Sequence, residues 1–253
     1  MSQALTASSA VCNAGACVGI VVALPEELAT LCSIRLKQGD YCQVGVHWVI
    51  YAGAGFRNAA AAAQLLADKG VQSLISWGCA AGLAPDIKPG DLLLASKIDN
   101  GQQQFDTDNQ LSASLYQTLP DTIRVHTGKL YSCDRLISCS REKQRIHQQY
   151  DAMGLDMESA AIADVALRAN LPFMAVRGIA DPVSQTLPNA VIQALNNQGR
   201  VELPKLLRYL FWHPYELKAL MQLGWHFHAA QRTLKLVARG LNSQTRFRPE
   251  PSN

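Results

Sequence analysis

The stretch Gly19-Ile20-Val21-Val22-Ala23-Leu24-Pro25-Glu26-Glu27-Leu28 decides the class of fold. Its first five residues are short, apolar and largely β-branched, with no polar residue at alternate positions. That pattern marks a strand covered on both faces. Pro25 fits the first turn of a following helix, where a missing N–H costs nothing. A buried strand running straight into a helix is the opening half of a βα unit.

The same punctuation recurs downstream. A second strand near residues 44–51 ends in the glycine-rich turn AGAGFRN, and the alanine-rich run 58–69 reads as a helix capped by Asn58. Residues 71–76 form the next buried strand, closing in the turn WGCAAG. A strand over 92–96 follows the turn Pro89-Gly90-Asp91, and the polar residues 99–123 read as loop and short helix. Residues 154–158 lead into the helix SAAIADVALRAN, and 173–179 form a further strand. Strands alternating with helices predict an α/β fold with a mostly parallel sheet covered on both faces.

Composition excludes several classes. Of the 253 residues, 48% are hydrophobic and only 17% charged, too few charges for a disordered chain or a charged coiled coil. No run of about 18 apolar residues is present, so a transmembrane helix is not expected, nor is a secretory signal. Seven cysteines, an odd number without a C-x-x-C pair, read as reduced thiols of a cytoplasmic protein. The charge is uneven: residues 1–199 carry 14 Lys+Arg and 17 Asp+Glu, residues 200–253 carry 9 and 3. An acidic body with a basic tail suits two tasks, or one task at an anionic surface.

Candidate chemistry collects at strand ends, where α/β sheets bind ligands. Glu26 and Glu27 follow the first strand, residues 53–58 another, Glu158 opens a helix, and Asp181 follows the strand at 173–179. Three carboxylates meeting in one crevice would suit acid–base work. Each also has a plainer reading: first-turn acids matched to a helix dipole for the glutamates, an ordinary turn for Asp181-Pro182. GAGFRN lacks the third glycine of a dinucleotide fingerprint. Trp77 either flanks a pocket or fills the core. His213, His226 and His228 read as surface or interface residues, and no metal site is expected.

In order, GIVVALPEEL, AGAGFRNAAAAAQLL, SWGCAAGLAPDIKPGDLLLAS, LYSCD, LDMESAAIADVA and PFMAVRGIADP resemble the nucleoside phosphorylase/nucleosidase superfamily, and within it the methylthioadenosine/S-adenosylhomocysteine nucleosidases. The resemblance implies a three-layer α/β/α fold around a mixed, mostly parallel sheet, with residues 18–203 as the catalytic domain between a loose leader (1–17) and a helical tail (204–242) with a frayed terminus (243–253). It implies that Glu27 activates the attacking water, Glu158 binds the ribose hydroxyls with Met157 packed on the sugar, and Asp181 acts on the purine N7. Gly78 and Cys79 fall in the turn near the ribose. Leu136 and Ile137 occupy the purine-stacking segment, where Leu136 replaces the usual aromatic. No cofactor, metal or nucleic acid is implied; a homodimer or higher homo-oligomer is. Phosphorylases of the superfamily carry an arginine where this chain has Ser76; Gly55 and Arg57 form the alternative phosphate site. Water and phosphate both remain candidate nucleophiles.

The tail departs from the nucleosidases. LPNAVIQALNNQGRV, LPKLLRYLFWHPYELKALMQL and AAQRTLKLVARGL resemble the tail of hopanoid-associated phosphorylase-like proteins, which implies adenosylhopane as a lipid-linked substrate. An enzyme for such a substrate must meet it at a membrane, here the inner face, or enclose it. Leu217, Leu220, Leu223, Phe227, Ala230, Leu234, Val237 and Leu241 predict one apolar helical stripe, with Arg232, Lys235 and Arg239 on another side. Tyr209, Trp212, Tyr215, Trp225 and Phe227 are candidate interfacial anchors. The stripe suits equally a face packed on the core or across a dimer.

Overall fold

Val18–Val22 forms β1, buried at every residue because parallel strands flank it on both sides and helices cover it. The computed structural model describes residues 17–194, 196 and 202–243, so the expected leader and frayed terminus lie almost wholly outside the described residues. After β1 come α1 (Pro25–Leu31), β2 (Tyr41–Val44), β3 (His47–Tyr51) and α2 (Phe56–Asp68). Then follow β4 (Ser73–Gly82), β5 (Leu92–Asp99), β6 (Gln104–Asp106), α3 (Asn109–Tyr116), β7 (Val125–Ser132) and α4 (Ser140–Tyr150). The chain continues through β8 (Ala152–Asp156), α5 (Ser159–Arg168), β9 (Phe173–Asp181), α6 (Asn189–Ala194) and α7 (Leu203–Trp212). A 3₁₀ turn (Pro214–Glu216) leads into α8 (Leu217–Ser243).

The sheet is mixed. β1 pairs in parallel with β3 and β4, and β4 with β9. β5 pairs in parallel with β7, and β7 with β8. Antiparallel pairing joins β4 to β8 and β5 to β9, so β4, β9, β5, β7 and β8 close into a ring. The α/β class with a mixed, mostly parallel sheet is therefore what the chain adopts, though the sheet is not open throughout.

Three local expectations are corrected. The single strand near 44–51 is a hairpin, β2 and β3, turning at Gly45 with φ 62°. WGCAAG is not a turn: β4 runs through it to Gly82, so Gly78 and Cys79 lie within the strand. α2 begins at Phe56 with Gly55 as its cap at φ 100°, a backbone conformation that favours glycine. Asn58 lies inside the helix and donates from Nδ2 to Ala54 O.

α8 divides in two. Leu234, Val237, Ala238 and Leu241 are buried in one core cluster with Ile20, Trp77 and Val176, whereas Leu217 at its start is 49% exposed. The expected stripe thus meets the main core only in its second half, while Leu220 in its first half packs on the small cluster of Ala190, Ala194 and Leu206. Burying a Leu or Val is worth about 1.5–3 kcal/mol relative to leaving it exposed, so the second half of α8 is part of the core and not an appendage to it.

Candidate active site

Glu27 stands in the first turn of α1, just past β1, and is 4% exposed. Its Oε2 accepts from the backbone N–H of Ala23 (3.1 Å) and Leu24 (3.0 Å), and its Oε1 from Cys79 N–H (2.8 Å). One carboxylate thus both caps the helix start and reaches across to β4. Burial pushes its pKa up, against the Arg177 charge and these three donors. Gly78 makes the approach possible: a Cβ there would strike the Glu27 carboxylate and lie 2.9 Å from Arg177 Nη1. Trp77, 1% exposed, steadies the turn by donating from Nε1 to Thr30 Oγ1 (2.9 Å), whose own hydroxyl donates to Glu27 O (2.6 Å).

Arg177, like Lys143 below, is a residue of the candidate site that sequence reasoning missed. It is 3% exposed in the middle of β9. Its Nε (2.9 Å) and Nη2 (2.5 Å) both donate to Asp156 Oδ2, and Nη2 also reaches Ser76 Oγ (2.5 Å) and Ser159 Oγ (2.9 Å). Burial works against its charge, but Asp156, Glu27 and Glu158 outweigh that and raise its pKa. The signal available in PFMAVRGIAD was a lone charge inside an otherwise apolar strand, since a buried charge must be paired.

Glu158 precedes α5 and accepts from Gly55 N–H at its Oε1 (2.9 Å). Burial, then the Asp156 charge, push its pKa up to about 7. Glu27, Glu158, Arg177, Ser76 and Trp77 wall a cavity of about 10 Å³, the space one water molecule needs.

Asp181 closes β9 and does not line that cavity; it pairs in register with Ala81 on β4 and is 8% exposed. Its Oδ2 accepts from Nζ of Lys143, a fully buried lysine on α4 whose Nζ also donates to Gln185 O (2.9 Å). Burial raises the Asp181 pKa; the Lys143 ammonium, and more weakly His226, pull it back. Cys79 links the two regions: burial, then the Glu27 charge, lift its thiol well above the ordinary range, with Asp181 adding to the effect. The thiol is consequently held protonated.

The remaining expected residues divide. Gly78 and Cys79 adjoin Glu27, Gly55 holds Glu158, and Met157 is half-buried next to Glu158. Arg57 is exposed on α2 and does not line the cavity. Ile137 is buried among Leu83, Ile146 and Leu155, and Leu136 is 42% exposed; neither borders the cavity. Among the tail histidines, His213 stacks on Tyr209 and His228 is exposed. His226 differs from a plain surface residue: it is half-buried, with Nδ1 2.9 Å from Gln185 Oε1, behind Asp181.

Carboxyls with raised pKa values keep protons that the unfolded chain has already released, so stability falls with rising pH. Glu158 stabilises the fold fully below its ordinary 4.5 and loses that contribution as pH rises through about 7. Its share is up to about 3 kcal/mol. The melting temperature is expected to drop between about pH 5 and about pH 8, and Glu158→Gln to flatten the drop. A wild-type melting curve that rises over this interval would contradict the assignment.

Residues 18–208 match the family model described as the phosphorylase superfamily. The 5′-methylthioadenosine/S-adenosylhomocysteine nucleosidase of Maridesulfovibrio salexigens is 29% identical over 209 residues, covering 70% of this chain and 90% of that protein. The nucleosidase of the same name from Mycobacterium bovis is 24% identical over 216 residues, covering 65% and 85%. In three dimensions the chain is similar to the crystal structure of the Neisseria meningitidis nucleosidase in complex with methylthio-immucillin-A. That TM-score is 0.68 at 17% identity, over 90% of this chain and 99% of that one, a likeness of fold.

Proposed function

The chain belongs to the phosphorylase superfamily, and from that premise we propose that it is a purine nucleosidase that cleaves the N-glycosidic bond of a 5′-substituted adenosine with water. The observation that carries this reading is the water-sized cavity walled by Glu27, Glu158 and Arg177. Adenine leaves poorly as an anion, so N7 must gain a proton as the C1′–N9 bond breaks. Asp181, whose carboxyl burial keeps above its ordinary range, supplies that proton. The water oxygen bonds to C1′ and its proton passes to Glu27. Neutral adenine departs, and the sugar keeps the new hydroxyl. Glu158 accepts hydrogen bonds from the ribose hydroxyls, which strengthen as positive charge develops on the ring. The Asp181 carboxylate left behind faces the Lys143 ammonium.

Water is favoured over phosphate because the arginine on the cavity wall is engaged by Asp156, Ser76 and Ser159, and because Arg57 is exposed. A phosphate dianion wants free bidentate donors. The 5′ substituent we favour is the thioether that the relatives' names carry, methylthioadenosine or S-adenosylhomocysteine. Adenosylhopane is the second reading, supported by the tail resemblance and by the exposed apolar residues of α7.

The test is adenine release from methylthioadenosine with and without inorganic phosphate. Equal release and free methylthioribose are expected. Phosphate-dependent formation of a sugar 1-phosphate would instead identify a phosphorylase, and turnover of adenosylhopane alone would select the second reading. Adenosine binding without any turnover would make the chain a non-catalytic adenine-binding protein.

A further inference from the structure

α7 is apolar on two sides. Leu206 is buried against Ala190 and Ala194 of α6, with Tyr209 and Leu210 packed beside it. On its other side Leu203, Leu207 and Phe211 recur at steps of four and are 65–77% exposed. Apolar helix faces are normally covered, yet among the described residues only the first of these two sides is. Trp212 and Tyr215, at the bend into α8, are 72% and 73% exposed.

α8 continues this surface with a change of chemistry. Leu217, Met221 and Trp225 are exposed at steps of four. The same row runs on through His228, Arg232, Lys235 and Arg239, all exposed, at steps of three and four. One helix face is therefore apolar and aromatic in its first half and cationic in its second. Its opposite face, at Leu234, Val237 and Leu241, is in the core, which fixes the exposed row outward.

We propose that the outer face of α7 and α8 docks the protein on a bilayer bearing anionic phospholipids, with the Leu217–Trp225 half in the headgroup region and the arginines and lysine on the phosphates. Trp and Tyr favour that interface, and amphipathic helices with basic residues lie in its plane. Charge complementarity selects this occupant. The acidic residues in 202–243 are Glu202, which pairs with Lys205, and Glu216, which is buried and accepts from Ala190 N–H. In a second copy seated on the same face, α7 and α8 would thus offer the cations no free carboxylate, only the exposed Glu26 of α1 lying beside Gln231, and nucleic acid would leave the aromatic row wet. No helix among the described residues is long and apolar enough to cross a membrane, so the contact is peripheral. The inference is independent of the reaction proposed above.

Co-sedimentation of the full chain with vesicles tests it. Binding to phosphatidylglycerol-containing vesicles, weakened by high salt and at least tenfold weaker on pure phosphatidylcholine, is expected. Two variants separate the contributions: Phe211→Ser/Trp225→Ser and Arg232→Glu/Lys235→Glu/Arg239→Glu. Each is expected to lower the partition coefficient about tenfold or more while keeping the wild-type melting temperature, since every altered residue is exposed. Truncation is the wrong tool, because deleting from residue 204 also strips Leu234, Val237 and Leu241 from the core. Wild-type protein that stays in the supernatant, or variants that bind as it does, would overturn the proposal. So would a wild-type dimer that Phe211→Ser/Trp225→Ser converts to monomer, which would assign the face to a second copy.

Discussion

Asp181→Asn is expected to slow adenine release by roughly 10²–10⁴-fold, the usual worth of a positioned general acid, while adenine affinity changes only a few-fold. The substitution keeps the shape of the side chain and removes the transferable proton. Its surroundings make the effect readable. Burial raises the wild-type pKa, and the Lys143 ammonium opposes that rise. The wild-type rate should therefore fall on the alkaline side as Asp181 ionises, and Asp181→Asn should lack that limb. Lys143→Met supplies the control. Without the ammonium the carboxyl is buried against no cation, its pKa climbs further, and the alkaline limb moves to higher pH. Its maximal rate falls as well, because the conjugate base has lost its partner. A purely structural lysine would lower the amount of folded enzyme without moving the limb. Asp181→Asn with rates within a few-fold of wild type at all pH values would mean that N7 is protonated from elsewhere.

How far these residues were legible depends on how local their causes are. Glu27, Glu158 and Asp181 could be found because each stands where an apolar run ends and a helix or turn begins, and that boundary is written in adjacent residues. β1 and β9 could be found for the same reason. Lys143 could not. SREKQRIHQQY reads as an ordinary solvated helix, and nothing in it distinguishes Lys143 from Arg141 or Arg145. Its burial follows from the packing of α4 against β8 and the approach of Asp181 and Gln185, 38 and 42 residues further on. Arg177 lay between these cases. Its strand was legible and its charge conspicuous, but its partners Asp156, Ser76 and Ser159 come from three other elements. The turn expected at WGCAAG failed because small residues there serve close packing: Gly78 admits the Glu27 carboxylate within an uninterrupted strand. The tail stripe was legible as a period, but the period alone does not say which length of it meets the core.

Arg177 also bears on the division of labour among the carboxyls. Its guanidinium neutralises Asp156 by direct hydrogen bonds, yet Glu27 and Glu158 also feel its charge. One buried cation thus faces three carboxyls, and in Glu27 and Glu158 burial outweighs its pull and raises the pKa. Asp156 takes the hydrogen-bonded place, and Glu158 is left near neutrality at about 7. In the reaction proposed above it is Glu27 that takes the water's proton, and burial, which raises its pKa against the Arg177 charge, favours that protonated form.

Glu27→Gln is the complementary experiment, and it too is expected to cost roughly 10²–10⁴-fold in rate. The wild-type side chain only accepts: two backbone donors meet Oε2 and the Cys79 N–H meets Oε1. A glutamine can satisfy Ala23 and Leu24 through its oxygen, but its NH₂ then faces the Cys79 N–H, donor against donor. An unmet buried donor costs about 1–3 kcal/mol, partly offset because the neutral amide escapes the burial that raises the Glu27 pKa. Stability should therefore change little, while the base is lost entirely. The wild-type rate should fall on the acidic side as Glu27 gains its proton, and that limb should vanish in Glu27→Gln. The limb also discriminates between the two cavity glutamates. If Glu27→Gln retains it and Glu158→Gln loses it, the base is Glu158 and Glu27 serves only to brace α1 against β4.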